Sequence, residues 1–190
     1  MTVSTPTTAG QILTSAYVNN NINSGLTYIT GGALSTATTD FVGCFSSTYT
    51  NYRIVIDQIA WSGTAPIYFR MLSGTTPSTT ADYYWAYTGI NILGTASNSN
   101  GNAQTVGFLG AENNGANNLA VGSLSFDIYA PNASQRTYFT GIGTSVITDF
   151  ASKTGIAVHN QLVAYTGIRL LTNSAVTMTG NVNIYGYRKA

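Results

Sequence analysis

One histidine, six carboxylates and one cysteine hold most of the reactive chemistry in this 190-residue chain. His159, in IAVHNQLV, has the chemistry of a general base, but its apolar neighbours read as a strand and make it a hydrogen-bonded packing residue. Asp40, Asp57, Asp82, Glu112, Asp127 and Asp149 lie far apart, and no spacing brings two together as the acid and base of a glycosidase. A lone histidine cannot build a multi-histidine metal site. No DxDxDG-like loop offers calcium ligands, AENNGANN (111–118) reads as a turn, and no GxSxG, HExxH, GxGxxG or P-loop phrase occurs. Cys44, the only cysteine, forms no intrachain disulfide or CxxC pair, and in FVGCF it packs as a small apolar residue. These residues assign no catalytic group, no metal and no cofactor.

Two polar or aromatic stretches remain. In YTNYRIVIDQI (49–59), alternation puts Tyr52, Ile54 and Ile56 on one face and Arg53, Val55 and Asp57 on the other. Arg53 and Asp57 then sit roughly 13 Å apart along the strand, too far for a compact site, and Val55 between them suits a neighbouring subunit or sheet better than water. Both charges are therefore candidates for pairing across an interface. DYYWAY (82–87) is the densest aromatic cluster, and Trp61 stands beside the turn in AWSGTAP. Trp61, Tyr83, Tyr84, Trp85 and Tyr87 fit either cross-strand packing and a subunit contact or a glycan-contacting patch.

The elements that position these residues are strands. VTMTGNVNIYGYR puts Val176, Met178, Val182 and Ile184 on one face, and SLSFDIYA does the same with Leu124, Phe126 and Ile128. Further strands are expected at 41–45, 52–60, 66–73, 82–90, 104–110, 136–143, 155–165 and 167–172, separated by turns such as WSGTAP, LSGTTPSTT, SNSNGN and NNGANN. About ten short strands with polar turns indicate an all-β, antiparallel jelly-roll-like β-sandwich, although periodicity leaves the strand order open. Ahead of it, Leu13, Tyr17, Val18 and Ile22 fit one face of a short helix at about 14–22. The expected organisation is an arm and helix over 1–35 and a β-sandwich domain over 36–190.

Only 7% of the residues are charged and the net charge is +1, so Ser, Thr, Asn and Gly must supply the solubility. Binding to duplex nucleic acid or to an anionic membrane needs clustered Lys or Arg, which the chain lacks. The N-terminus has no basic region followed by an apolar run, and no segment is long and apolar enough to span a bilayer. The expectation is synthesis in a cytoplasm without export by a signal peptide.

AGQILTSAYVNNNINSGLTYI followed by a β-rich body resembles the opening of many tailed-bacteriophage structural proteins. DFVGCFSSTYTNYRIVIDQI, IYFRMLSGTTPSTTADYYWAY and VTMTGNVNIYGYRKA are similar to small β-sandwich proteins of phage tail fibres and virion surfaces, as in cyanobacterial and marine phages. The resemblance implies a non-enzymatic virion structural protein on the particle surface. It would be made in the host cytoplasm and attached to other virion proteins through the arm residues Leu13, Tyr17, Val18 and Ile22. A homotrimeric tail-fibre module that meets a host surface glycan or receptor is the first expectation, and a head decoration (cement) protein is the second. A carbohydrate-active protein, lectin or hydrolase, is the alternative from a different class.

Overall fold

A computed structural model describes residues 25–113, 122–146, 151–173 and 175–188. They form thirteen strands: β1 (Leu26–Leu34), β2 (Thr38–Phe41), β3 (Asn51–Trp61), β4 (Ala65–Ser73), β5 (Thr76–Pro77), β6 (Tyr83–Asn91), β7 (Ala96–Gln104), β8 (Gly107–Asn113), β9 (Gly122–Tyr129), β10 (Thr137–Val146), β11 (Ala151–His159), β12 (Gly167–Leu171) and β13 (Met178–Tyr187). The arm and the helix expected at 14–22, with Leu13, Tyr17, Val18 and Ile22, lie outside the described residues. The body starts at Leu26 rather than at 36: LTYITGGAL pairs along its length with β13 and is the first strand of the domain.

The strand order completes what periodicity left open. One run is β1-β13-β3-β9 and another is β2-β12-β4-β8. Counting these eight strands in chain order, the sheets read first-eighth-third-sixth and second-seventh-fourth-fifth, the jelly-roll order with its two nested Greek keys. The chain departs from that plan at two insertions. β5, β6 and β7 come between the fourth and fifth jelly-roll strands, and β10 and β11 between the sixth and seventh. β10, β11, β6 and β7 add in that order beyond β9, extending the first sheet to eight strands.

Alternation explains the core. Tyr52, Ile54 and Ile56 of β3, Leu124, Phe126 and Ile128 of β9, and Met178, Val182 and Ile184 of β13 are all buried, as the sequence pattern predicts, and meet Ile67, Phe69 and Met71 of β4 and Ile168 and Leu170 of β12. The pattern survives two irregularities. Gln58, at φ 54°, is an extra residue in β3 that returns Ile59 and Trp61 to the core after the exposed Asp57. The segment SNSNGN, expected as a turn, lies within β7, whose register against β6 is set by the tight turn at 91–95. Its polar residues fit because β7 is an edge strand, pairing among the described residues only with β6.

The two sheets meet at β8. Over two residues it pairs in parallel with β10, Ser145 opposite Glu112 and Val146 opposite Asn113, and it lies so close under β10 and β11 that Gly143 and Gly155 have no room for a side chain. A Cβ on Gly155 would fall 2.8 Å from the Leu109 Cα, and one on Gly143 would fall 2.9 Å from the Ala111 Cβ. Ordinary face-to-face sheets stand about 10 Å apart, so these glycines set the closer spacing. Gly155→Ala should lower unfolding free energy by about 1–3 kcal/mol, the range for overpacking a filled interior, while the exposed neighbour change Ser152→Ala stays within about 0.5 kcal/mol. Urea titration of the two variants measures the difference.

Candidate functional site

The four added strands create a broad outward surface that belongs to no core. Along one cross-strand row, Tyr129, Tyr138, Val158 and Tyr84 stand side by side on β9, β10, β11 and β6. The next row is Asp127, Thr140, Ile156, Ala86 and Asn100, and the third carries Ile142, Thr154 and Thr88. Tyr138 is 51% exposed, Ile142 57% and Ile156 59%. Strand sterics place β-branched and aromatic residues on sheets, but exposed Ile156, one row from Tyr138, Val158 and Tyr84, extends these into an apolar patch. On β10, β11 and β6 the outward positions 138, 140, 142, 152, 154, 156, 158, 84, 86, 88 and 90 include no charged residue.

Within the patch the short side chains of Ala86 and Thr140 leave a depression bounded by Tyr84, Tyr138, Ile156 and Val158, with Asn100 and Asn102 at one rim. Its volume is about 440 Å³ and its wall is almost entirely carbon. Sugars are held by planar polar groups as well as aromatic faces, and this wall supplies few. Burial against protein suits it better.

The sequence-derived residues separate by face. Tyr84 points outward into the patch, whereas Tyr83 and Trp61 are fully buried core residues and offer no surface to a glycan or a subunit. Strand alternation decides this for Tyr83, and the extra residue Gln58 decides it for Trp61. Trp85 and Tyr87 face inward, half-buried, each edge-on to Phe108 of β8. Arg53 does not wait for a partner: it forms two 2.8 Å hydrogen bonds to Asp127 on the adjacent strand, and Tyr187 donates to the same carboxylate at 2.7 Å. Arg53 also lies 5.7 Å from the Tyr187 ring. Burial opposes ionisation of Asp127, but the bonds from Arg53 and Tyr187 outweigh it and hold the carboxyl below its usual range. Asp57 is exposed beside the bulge and belongs to neither this cluster nor a pair with Arg53. Residue spacing within one strand could not reveal Asp127, which is 74 positions away; only sheet order and register bring it there.

Two interior clusters hold the remaining chemistry. Lys153 of β11 is buried, donates to Glu112 of β8, and has its Nζ 4.5 Å from the centre of the Tyr87 ring. The Lys–Glu pair thus bridges the two sheets where β8 seats. His159 is fully buried, with Nε2 3.1 Å from Ser78 Oγ, Nδ1 3.2 Å from the Tyr165 hydroxyl, and its ring 4.2 Å from that of Tyr83. Burial pulls its pKa down to about 4, against a small opposing effect of Asp82. A Ser–His contact resembles a nucleophile and base, but so weak a base draws a proton poorly from a serine hydroxyl at neutral pH. The ring instead ties the segment after β5 to the segment after β11, as the residue reading of a hydrogen-bonded packing histidine expects. Cys44 donates to the Phe41 carbonyl at 3.3 Å, and burial pushes its thiol up to about 12, far from a reactive thiolate. Among the described residues no three His, Cys, Asp or Glu side chains converge as metal ligands would. Comparison with protein-family models, with curated proteins and with solved structures finds no match to this chain.

The two interior clusters respond differently to change. Lys153→Met leaves Glu112 buried without its cation and should cost about 3–5 kcal/mol, whereas Lys153→Met with Glu112→Leu should recover most of that loss; a double-mutant cycle by denaturant unfolding reads it. For His159 the folded pKa of about 4 lies below the unfolded value of 6.5, so the unfolded chain binds the extra proton first. Stability contributed by the neutral ring is complete above about pH 6.5 and is lost as pH falls towards 4. Over that window His159→Gln should flatten the stability profile by ~2 kcal/mol relative to the parent chain.

Proposed function

We propose that this chain is a non-enzymatic structural protein of a tailed-bacteriophage particle, exposed on the virion surface as a tail-fibre or receptor-binding module. The observation that supports this most is the exposed aromatic and aliphatic outer face of β10, β11 and β6, whose outward positions carry no charged residue, on a jelly-roll frame. A face of this kind serves recognition between macromolecules rather than catalysis. The polar clusters with the residue types of catalysis, at Lys153 and His159, are enclosed in the interior and consumed in holding strands together. The resemblance of the opening and closing phrases to phage structural proteins supplies the particle. In this reading the arm with Leu13, Tyr17, Val18 and Ile22 attaches to other virion proteins, and the domain assembles with itself, as a homotrimer.

The apolar wall of the Tyr84–Tyr138 depression favours a protein occupant, so contact with a host glycan or receptor is assigned to other parts of the assembled surface. Quantitative mass spectrometry of purified particles of the encoding phage, with immunogold labelling, tests the placement. The expected result is tens of copies at the tail. Hundreds of copies on the head would make it a decoration protein, and absence from the particle would overturn the virion reading.

A further inference from the structure

The depression on the outer face has a matching projection on the same chain. Ile92 and Leu93, at the tip of the β6–β7 hairpin, are 72% and 70% exposed and side by side. The tip is not loose. The Asn91 side-chain oxygen accepts from the backbone N–H of Leu93 at 3.1 Å and of Thr95 at 2.7 Å. The Asn91 and Thr95 backbones close the hairpin, with Asn91 N–H donating to Thr95 O at 3.1 Å and Gly94 N–H donating to Asn91 O at 3.0 Å. Gly94, at φ 82°, supplies the left-handed turn position. Two large aliphatic side chains are thereby held out in water by a braced turn, an arrangement that costs solvation and gains nothing for the chain's own core.

The projection cannot fill its own chain's depression. Ala86 lies on the floor, and β6 runs five positions further to Asn91, roughly 17 Å at 3.3 Å per residue, before the turn that carries Ile92. β6 is fixed along that length by pairing with β11 on one side and β7 on the other. A second copy of the chain has no such restriction. Its tip and its depression are also compatible in charge: the depression is lined by no charged residue, and residues 91–95 contain none. A contact that joins one patch to a different patch on the next copy is head-to-tail, and it closes into a ring when the rotation between copies permits.

We propose that the Ile92–Leu93 tip of one copy seats in the Tyr84–Ala86–Tyr138–Ile156 depression of the next, so that the domain assembles by a head-to-tail contact. This names the geometry of the self-association in the functional reading above and stands apart from where the assembly sits on a particle. A neutral glycan in the depression is the competing occupant.

The test uses the full chain and two variants, Leu93→Glu on the tip and Ala86→Arg on the floor, with far-UV circular dichroism and thermal melting to establish that each retains the fold. Both side chains face outward, so neither substitution enters the core. By sedimentation, the parent chain should form a discrete oligomer at micromolar concentration. Each variant should weaken association about 30-fold or more, the loss expected from removing a central anchor residue. Head-to-tail geometry makes a further demand. A Leu93→Glu chain still has an intact depression and an Ala86→Arg chain an intact tip, so mixing the two should restore one contact and yield a heterodimer. A folded pair of variants that gives no heterodimer, an oligomer indifferent to Leu93→Glu, or a parent chain that remains monomeric would overturn the proposal. A monomer that binds a neutral oligosaccharide and loses it on Ala86→Arg would give the depression to a glycan instead.

Discussion

The seating of β8 is the constraint on which the rest of the molecule depends. This strand is the fifth of the jelly roll, completes the second sheet beside β4, and also touches β10 in the first sheet. Gly143 and Gly155 remove the side chains that would hold β8 away, and Lys153, aligned along Tyr87, reaches Glu112 on it. Close backbone approach and a buried ion pair reinforce each other here. The ion pair gains strength only where water is excluded, and the exclusion depends on the close approach. If β8 were held at the usual sheet spacing, Lys153 would lose Glu112 as its partner, and the inserted strands would lose part of the layer beneath them.

This also accounts for the low charge of the chain. Of thirteen charged side chains, seven basic and six acidic, six are committed to the pairs Arg53–Asp127, Lys153–Glu112 and Arg169–Asp40. Others are bound to neutral groups: Arg70 donates to the Thr105 carbonyl, and Asp82 accepts from Gln161. Each pair links neighbouring strands or the two sheets. Arg53–Asp127 ties β3 to β9, and Arg169–Asp40 ties β12 to β2. Charge serves strand register here, while solubility falls to Ser, Thr and Asn, which pair with water without repelling a second copy of the same surface.

Much of the architecture is legible from alternation because a strand with one buried face must alternate. Ile54 and Ile56, Phe126 and Ile128, and Val182 and Ile184 could be assigned to the core before any coordinate was known. Edge and bulged segments carry a weaker signal. β7 is polar on both faces and resembles a turn, and β1 is half-buried and glycine-rich, so neither shows its sheet in its composition. Trp61 fails for a different reason. One extra residue at Gln58 shifts the phase, and a tryptophan beside a turn becomes core. The long-range partners were the least accessible: Asp127 for Arg53 and Glu112 for Lys153 are set by which strands lie adjacent, which local periodicity does not encode.

The insertions explain why the outer face is free to recognise something. In the eight-strand frame each sheet covers the other, and every inward residue is committed to packing. β10, β11, β6 and β7 extend the first sheet beyond β9, and on their inner side they meet β8, through Phe108 against Trp85 and Tyr87, and β4, through Phe69 against Phe139 and Tyr83. Where they cross β8 their inner faces have to fit that strand closely, and Gly143, Gly155 and the Lys153–Glu112 pair gather there. Their outer faces have no folding duty. Side chains such as Tyr138, Ile142 and Ile156 therefore cannot be attributed to the core, and they lower free energy only when another surface covers them. The same extension that demands an unusual strand crossing at β8 thus supplies an exposed platform on β10, β11 and β6 with no charged outward residue, with the braced β6–β7 tip at the end of β6.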